Sequence, residues 1–268
     1  MFRDLLSCSY KALLTGAQEA GGHVPYDQRG YAAAWELNLL PGLPIGAIGD
    51  DLGSGAGCEL EGKLRAAHSS AALAVNSFGP WREEASNLRI GTVTGFKTIR
   101  FETVCPTGLR GTPPHLDLLA DGDSPVAIES KCTEWITPKE STFSSSYDKL
   151  KGSHGHSPWF HQIGSLREQP KRYSFLDAAQ LVKHALGLIT LYGTRDVRLV
   201  YLYWEPSNAV SWPQCAAHRA EADDLAARVR DSNVMLNPMS YRELWSEWEL
   251  QRRPSHLAYL WTRYNRIA

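Results

Sequence analysis

Residues 113–133, PPHLDLLADGDSPVAIESKCT, leave few ways to fold. Two short apolar runs flank Asp121-Gly122-Asp123-Ser124-Pro125, an unbroken series of turn formers, so the segment predicts a tight β-hairpin. With Gly122–Ser124 as the loop, the hairpin centres on position 123 and Asp117 falls opposite Glu129. Side chains alternate faces along a strand, so Glu129 and Lys131 point the same way. The other face carries Leu116 and Leu118 against Val126 and Ile128. One face is therefore expected to be core, and the other to carry two acids and a lysine.

Residues directly paired across a hairpin hold their β-carbons about 4.5–5.5 Å apart, near enough for two carboxylates to share a metal ion. Like charges so placed repel unless something offsets them. A hard divalent cation would do so, and Mg²⁺, with Mn²⁺ as a substitute, usually takes only one or two carboxylates and keeps several waters. A cation of this kind beside an ammonium group suits the hydrolysis of a phosphodiester, since both stabilise charge growing on the phosphate. The same spacing is satisfied by a solvent-facing hairpin whose acids and lysine only keep it soluble.

The surroundings of the hairpin resemble the PD-(D/E)XK nuclease superfamily, the fold of many type II restriction enzymes and recombination nucleases. The stretches HSSAALAVNSFGPW, IESKCTEW and AAQLVKH together look like a bacterial group of restriction endonucleases within it, over roughly residues 59–205. Asp117 matches the motif aspartate, Glu129 the acid of the (D/E)XK triplet and Lys131 its lysine. The order Pro114-His115-Leu116-Asp117 departs from the proline–aspartate pair of the family name. The resemblance implies an α/β fold with a restriction-endonuclease-like core: a helix, a three-stranded antiparallel meander, a helix and a further strand. It implies a Mg²⁺-dependent endonuclease that hydrolyses DNA, most simply in restriction-type defence. A repair or recombination nuclease of the same fold and a non-catalytic DNA-binding protein are the alternatives. The implied metal ligands are Asp117, Glu129, the main-chain carbonyl of Ser130 and an upstream acid from the first helix, Glu61 or Glu59. Lys131 would position the attacking water. Gln180 and His184 would help position that water or a phosphate, with Lys183 as the alternative phosphate contact. DNA is the implied partner, and a homodimer is admitted.

Around the hairpin, helical spacing predicts a helix over 59–77, and alternation predicts a strand over Phe96–Val104. Ser174–Tyr192 reads as the strongest helix, opened by a Ser-x-x-Asp pattern, and Val197–Trp204 as a buried strand. Residues 216–230, 241–250 and 255–266 read as helices. This divides the chain into an N-terminal arm (1–58), a nuclease core (59–212) and a helical C-terminal extension (213–268). In the arm, Tyr31–Leu40 suggests a short helix and Pro41–Gly57 a loop. Residues 134–173 form a polar insertion without a clear period, and a long loop inside a compact domain tends to be functional. Its Lys149, Lys151, Lys171 and Arg172, interleaved with Trp159 and Phe160, are expected to meet nucleic acid, since cations neutralise phosphates and aromatics stack on bases. His154, His156 and His161 lack the further ligands of a tetrahedral zinc site.

Composition adds little. Lys+Arg 28 against Asp+Glu 29 gives a net charge of −1, so any field for nucleic acid must be local. Five scattered cysteines without a CxxC pair fit a reducing compartment. With no run of about 18 apolar residues and no signal-peptide pattern, a soluble cytoplasmic protein without membrane contact is expected.

Overall fold

A computed structural model describes residues 2–20, 24–53, 62–251 and 254–268. Its centre is a five-stranded mixed sheet whose strands lie in chain order: β1 (Phe96–Val104), β2 (His115–Gly122), β3 (Val126–Lys131), β4 (Val197–Tyr203) and β5 (Val234–Ser240). The first three form an antiparallel meander, while β4 and β5 join parallel to β3 and β4. Leu118 pairs with Ile128 and Ala120 with Val126, the register that the hairpin centred on position 123 requires.

Parallel strands need crossovers, and those helices cover the faces of the sheet. Between β3 and β4 run α4 (Lys151–His154), α5 (Pro158–Glu168) and α6 (Ala178–Tyr192), and α7 (Pro213–Val229) links β4 to β5. These pack with Leu119, Ala127, Leu199 and Tyr201. The other face, through Leu118, Ala120, Val126, Ile128 and Leu202, meets α2 (Ile45–Gly53), α3 (Ser70–Phe78), α8 (Tyr241–Gln251) and α9 (Leu257–Tyr264). The hairpin is thus core on both sides, not on one. Its acids lie at the end of a buried face, beyond Leu119 and Ala127.

The expected insertion over 134–173 is mostly helical and forms part of that cover. Trp159 is fully buried, and its indole N–H donates to the Val234 carbonyl at 2.8 Å, so it cannot stack on a base. Trp159→Ala is expected to cost about 3–5 kcal/mol of stability, the usual toll of emptying a large aromatic site. Urea unfolding measures this, and an unchanged midpoint would contradict the packing role.

The arm also differs from expectation. It opens with α1 (Phe2–Ala20), and α2 occupies part of the stretch read as loop, while Tyr31–Leu40 holds only a 3₁₀ turn at Glu36–Asn38. α1 crosses α9 so closely that a β-carbon on Gly16 would sit 1.9 Å from the Arg263 carbonyl oxygen. The helix expected over 59–77 begins only at Ser70, with the Ser69 hydroxyl accepting from the Ala72 N–H. Glu59 and Glu61 lie outside the described residues. The C-terminal region contains the three expected helices but also β5, so it extends the sheet as well. No helix among the described residues is long and apolar enough to cross a membrane.

Candidate active site

The β2–β3 ladder stops at Leu118 and Ile128, and the strands part just where the acids begin. The Asp117 side chain fills the gap, its Oδ2 accepting the Ser130 backbone N–H at 2.6 Å. On the other side of β3, the Trp204 N–H takes the Lys131 carbonyl at 2.8 Å. Successive peptide groups alternate sides along a strand, so the Ser130 carbonyl faces the Asp117 side with its own N–H. The Ser130 hydroxyl points elsewhere, to the Ser70 carbonyl at 3.1 Å and the Tyr241 hydroxyl at 2.7 Å, tying β3 to the start of α3 and to α8.

Glu129 is 1% exposed. Its Oε1 accepts from Lys131 Nζ at 2.5 Å, and Lys131 also donates to Gln180 Oε1 at 2.9 Å. His184 Nδ1 lies 3.1 Å from Glu129 Oε2, a close polar contact that falls short of a well-formed hydrogen bond. Two turns of α6 therefore serve this centre. They can do so because residue 187 is glycine: a β-carbon there would sit 2.5 Å from the Cys105 carbonyl oxygen, where β1 ends. Asp177, at the N-cap of α6, accepts the Gln180 N–H at 3.1 Å and sets the first turn. Ser174, read from sequence as the opening residue, instead gives its N–H to Glu221.

The two acids have opposite electrostatics. Burial, reinforced by the neighbouring Glu129 charge, pushes the Asp117 carboxyl well above the usual aspartate range, against the pull of Lys131 and the Ser130 N–H. Burial would raise Glu129 too, but Lys131 and His184 outweigh it and hold the carboxyl down at about 2. For Lys131, burial favours the neutral amine, yet Glu129 and Asp117 push its pKa up, so it stays charged.

A cleft of about 500 Å³ opens over these groups. Its lining adds Glu102 and His115 from the sheet, Lys63 and His68 from the segment before α3, and Tyr10 and Tyr31 from the arm. Sequence reading missed all six. Glu102 lies within the strand predicted over Phe96–Val104, next to the buried Phe101. The pairings Phe101–Leu118 and Thr103–Leu116 set it across from Asp117, with φ +46°, the only positive φ at a non-glycine residue among those described. Glu134 also lines the cleft, but its Oε2 accepts the Cys132 N–H at 2.7 Å.

The expected nucleic-acid residues divide. His184 is 1% exposed and turned to Glu129, which corrects its assignment as a nucleic-acid contact. Lys183 lies over the Phe143 ring at 5.5 Å. Lys171 pairs with Glu140 at 3.1 Å, and Arg172 Nε lies 3.8 Å from Asp224. Lys149 and Lys151 are exposed, and Lys149 borders a second cavity of about 830 Å³ together with Arg110 and His156, with no carboxylate in its lining. His154 and His161 spend ring nitrogens on protein oxygens, such as the Leu186 and Gly155 carbonyls.

The family described as Restriction Endonuclease associating with ARP matches residues 18–265. The chain belongs to this restriction endonuclease family. No curated protein matches the chain. No solved structure does either. The match takes in most of the N-terminal arm, including Tyr31 of the cleft wall, and begins after Tyr10.

Among the described residues no group of three or more His, Cys, Asp or Glu side chains is arranged to hold a metal. A hard cation that takes two carboxylates, a main-chain carbonyl and waters does not need such a group. Asp117, Glu129 and the Ser130 carbonyl fit that smaller set. Glu129 Oε2, buried with only the His184 ring beside it and no well-formed hydrogen bond, is the observation that favours it.

Proposed function

We propose that the chain is a Mg²⁺-dependent deoxyribonuclease of the PD-(D/E)XK type that cleaves DNA in restriction-type defence, with Mn²⁺ able to replace Mg²⁺. The observation that carries this reading is the convergence of Asp117, Glu129, Lys131 and Gln180 on one cleft, with the Asp117 carboxylate wedged between parted strands. The order of a helix, an antiparallel meander, a second helix and a parallel strand supports the same assignment.

A divalent cation held by Asp117, Glu129 and the Ser130 carbonyl would supply Lewis-acid stabilisation of the phosphate and a water of lowered pKa. Lys131 contributes a fixed positive charge that orients the attacking water and stabilises the growing negative charge. Gln180 holds the ammonium from the far side and fixes where that charge lies. Lys131 keeps the Glu129 carboxylate ionised, and His184 backs it from α6. Lys149 and Lys151 are proposed to contact the DNA backbone away from the scissile bond, while the acid-paired Lys171 and Arg172 contribute less.

Supercoiled plasmid incubated with the full chain tests the proposal. Nicked or linear product is expected with Mg²⁺ or Mn²⁺ and none with a chelator. Intact plasmid in every condition would contradict it.

A further inference from the structure

His68 is a cleft residue that the proposed chemistry leaves unused. It begins the segment HSSAALAVNSFGPW, directly before the N-cap of α3. The tie between the Ser130 hydroxyl and the Ser70 carbonyl fixes that end of α3 beside the catalytic strand. The imidazole stacks on Tyr10 with ring centroids 4.0 Å apart and meets Tyr31 edge-on at 6.1 Å. All three rings line the cleft that holds Asp117 and Lys131. Among the described residues no group hydrogen-bonds the imidazole nitrogens.

This combination is unusual for a packing histidine. A satisfied core histidine spends its nitrogens on neighbours, as His154 does on Ser153, Leu186 and Thr190. The ring of His68 stacks on Tyr10 and meets Tyr31 at a right angle, and its nitrogens have no protein partner among the described residues. Burial also lowers its pKa from the ordinary value, so near neutrality it is an uncharged ring with one N–H donor. Lys63, exposed on the same wall, adds a cation suited to the same kind of ligand.

We propose that His68, clamped between Tyr10 and Tyr31, donates a ring hydrogen bond to a phosphate oxygen of the bound strand and positions the phosphodiester against Lys131. The proposal rests on the nuclease reading above and makes the N-terminal arm part of the substrate site. His68 is then a substrate-binding residue, and the tyrosines are positioning residues that act through it.

The test compares the parent, His68→Ala and His68→Gln in three measurements. These are single-turnover cleavage of duplex DNA with Mg²⁺, binding of the same duplex with Ca²⁺ in its place, and thermal melting. His68→Ala should lose about 10- to 100-fold in cleavage, the span of one hydrogen bond to a charged acceptor, and bind DNA more weakly. His68→Gln keeps an N–H donor at similar reach and should recover most of the loss, with both variants melting near the parent. Parental cleavage and binding by His68→Ala overturns the proposal. So does an equal loss in both variants, because the donor is then not what matters. A parent that neither binds nor cuts DNA overturns the nuclease reading and this proposal together. A parent that cuts DNA with Mg²⁺, matched by a His68→Ala protein that cuts equally fast, overturns this proposal alone.

Discussion

Asp117→Asn is expected to cut no DNA and yet to melt at a higher temperature than the parent when divalent cations are chelated. Loss of a ligand carboxylate explains the first effect. The second follows from the raised pKa of Asp117, caused by burial and by Glu129. A carboxyl whose pKa is raised by folding binds its proton more tightly in the folded chain than in the unfolded one. Its contribution to stability is fully present at low pH and is lost as pH rises from the unfolded to the folded value, at about 1.4 kcal/mol per pH unit. Asparagine keeps the shape and can still accept the Ser130 N–H, but it never ionises. Each kcal/mol recovered is worth about 2–4 °C in a chain of this size. The gap between variant and parent should widen as pH rises through the window above the unfolded aspartate value. Melting curves in chelator at several pH values measure it, and a variant that melts with or below its parent throughout would show that Asp117 is not under electrostatic strain.

Lys131→Met should lower single-turnover cleavage by about 10²-fold or more, the loss typical of one group that stabilises charge in the transition state. The cost to folding is also substantial, because the lysine is not a surface charge. Its side chain is 12% exposed, and it is the hydrogen-bond donor to the buried Glu129 Oε1. Removing one partner of a buried ion pair costs about 3–5 kcal/mol, since the other charge is left uncompensated. A divalent cation would restore that compensation, so Ca²⁺ should raise the melting temperature of Lys131→Met more than that of the parent. Near-parental cleavage by Lys131→Met would reduce the lysine to a counter-ion for Glu129.

These two expectations rest on the part of the molecule that local sequence rules describe best. Turn formers at 121–125 and alternation on either side set the hairpin register without help from the rest of the chain. α6 was legible for the same reason, because its pattern is local to Ser174–Tyr192, although it starts four residues later, at Ala178. What escaped depends on distant packing. Whether His184 met solvent or Glu129 was decided by how closely α6 could approach β1, a consequence of the missing side chain at Gly187. Glu102 could be found only from the register of β1 against β2, and the long connection between them, Cys105–Pro114, leaves that register open. β5 carries Asn237 and Pro238, which disguise it as a turn, and pairing with β4 overrides that local preference. The wall made by Tyr10, Tyr31 and His68 joins three separate segments, and no single window of sequence contains it.

The centre formed by Asp117, Glu129 and Lys131 is tested most directly by the rate of single-turnover DNA cleavage as Mg²⁺ is titrated, in the parent and in Glu129→Ala. The parental rate should rise from background to a plateau, and Glu129→Ala should remain at background at every Mg²⁺ concentration. A parental rate independent of Mg²⁺, or a Glu129→Ala protein that reaches the parental plateau, would place the chemistry elsewhere in the molecule.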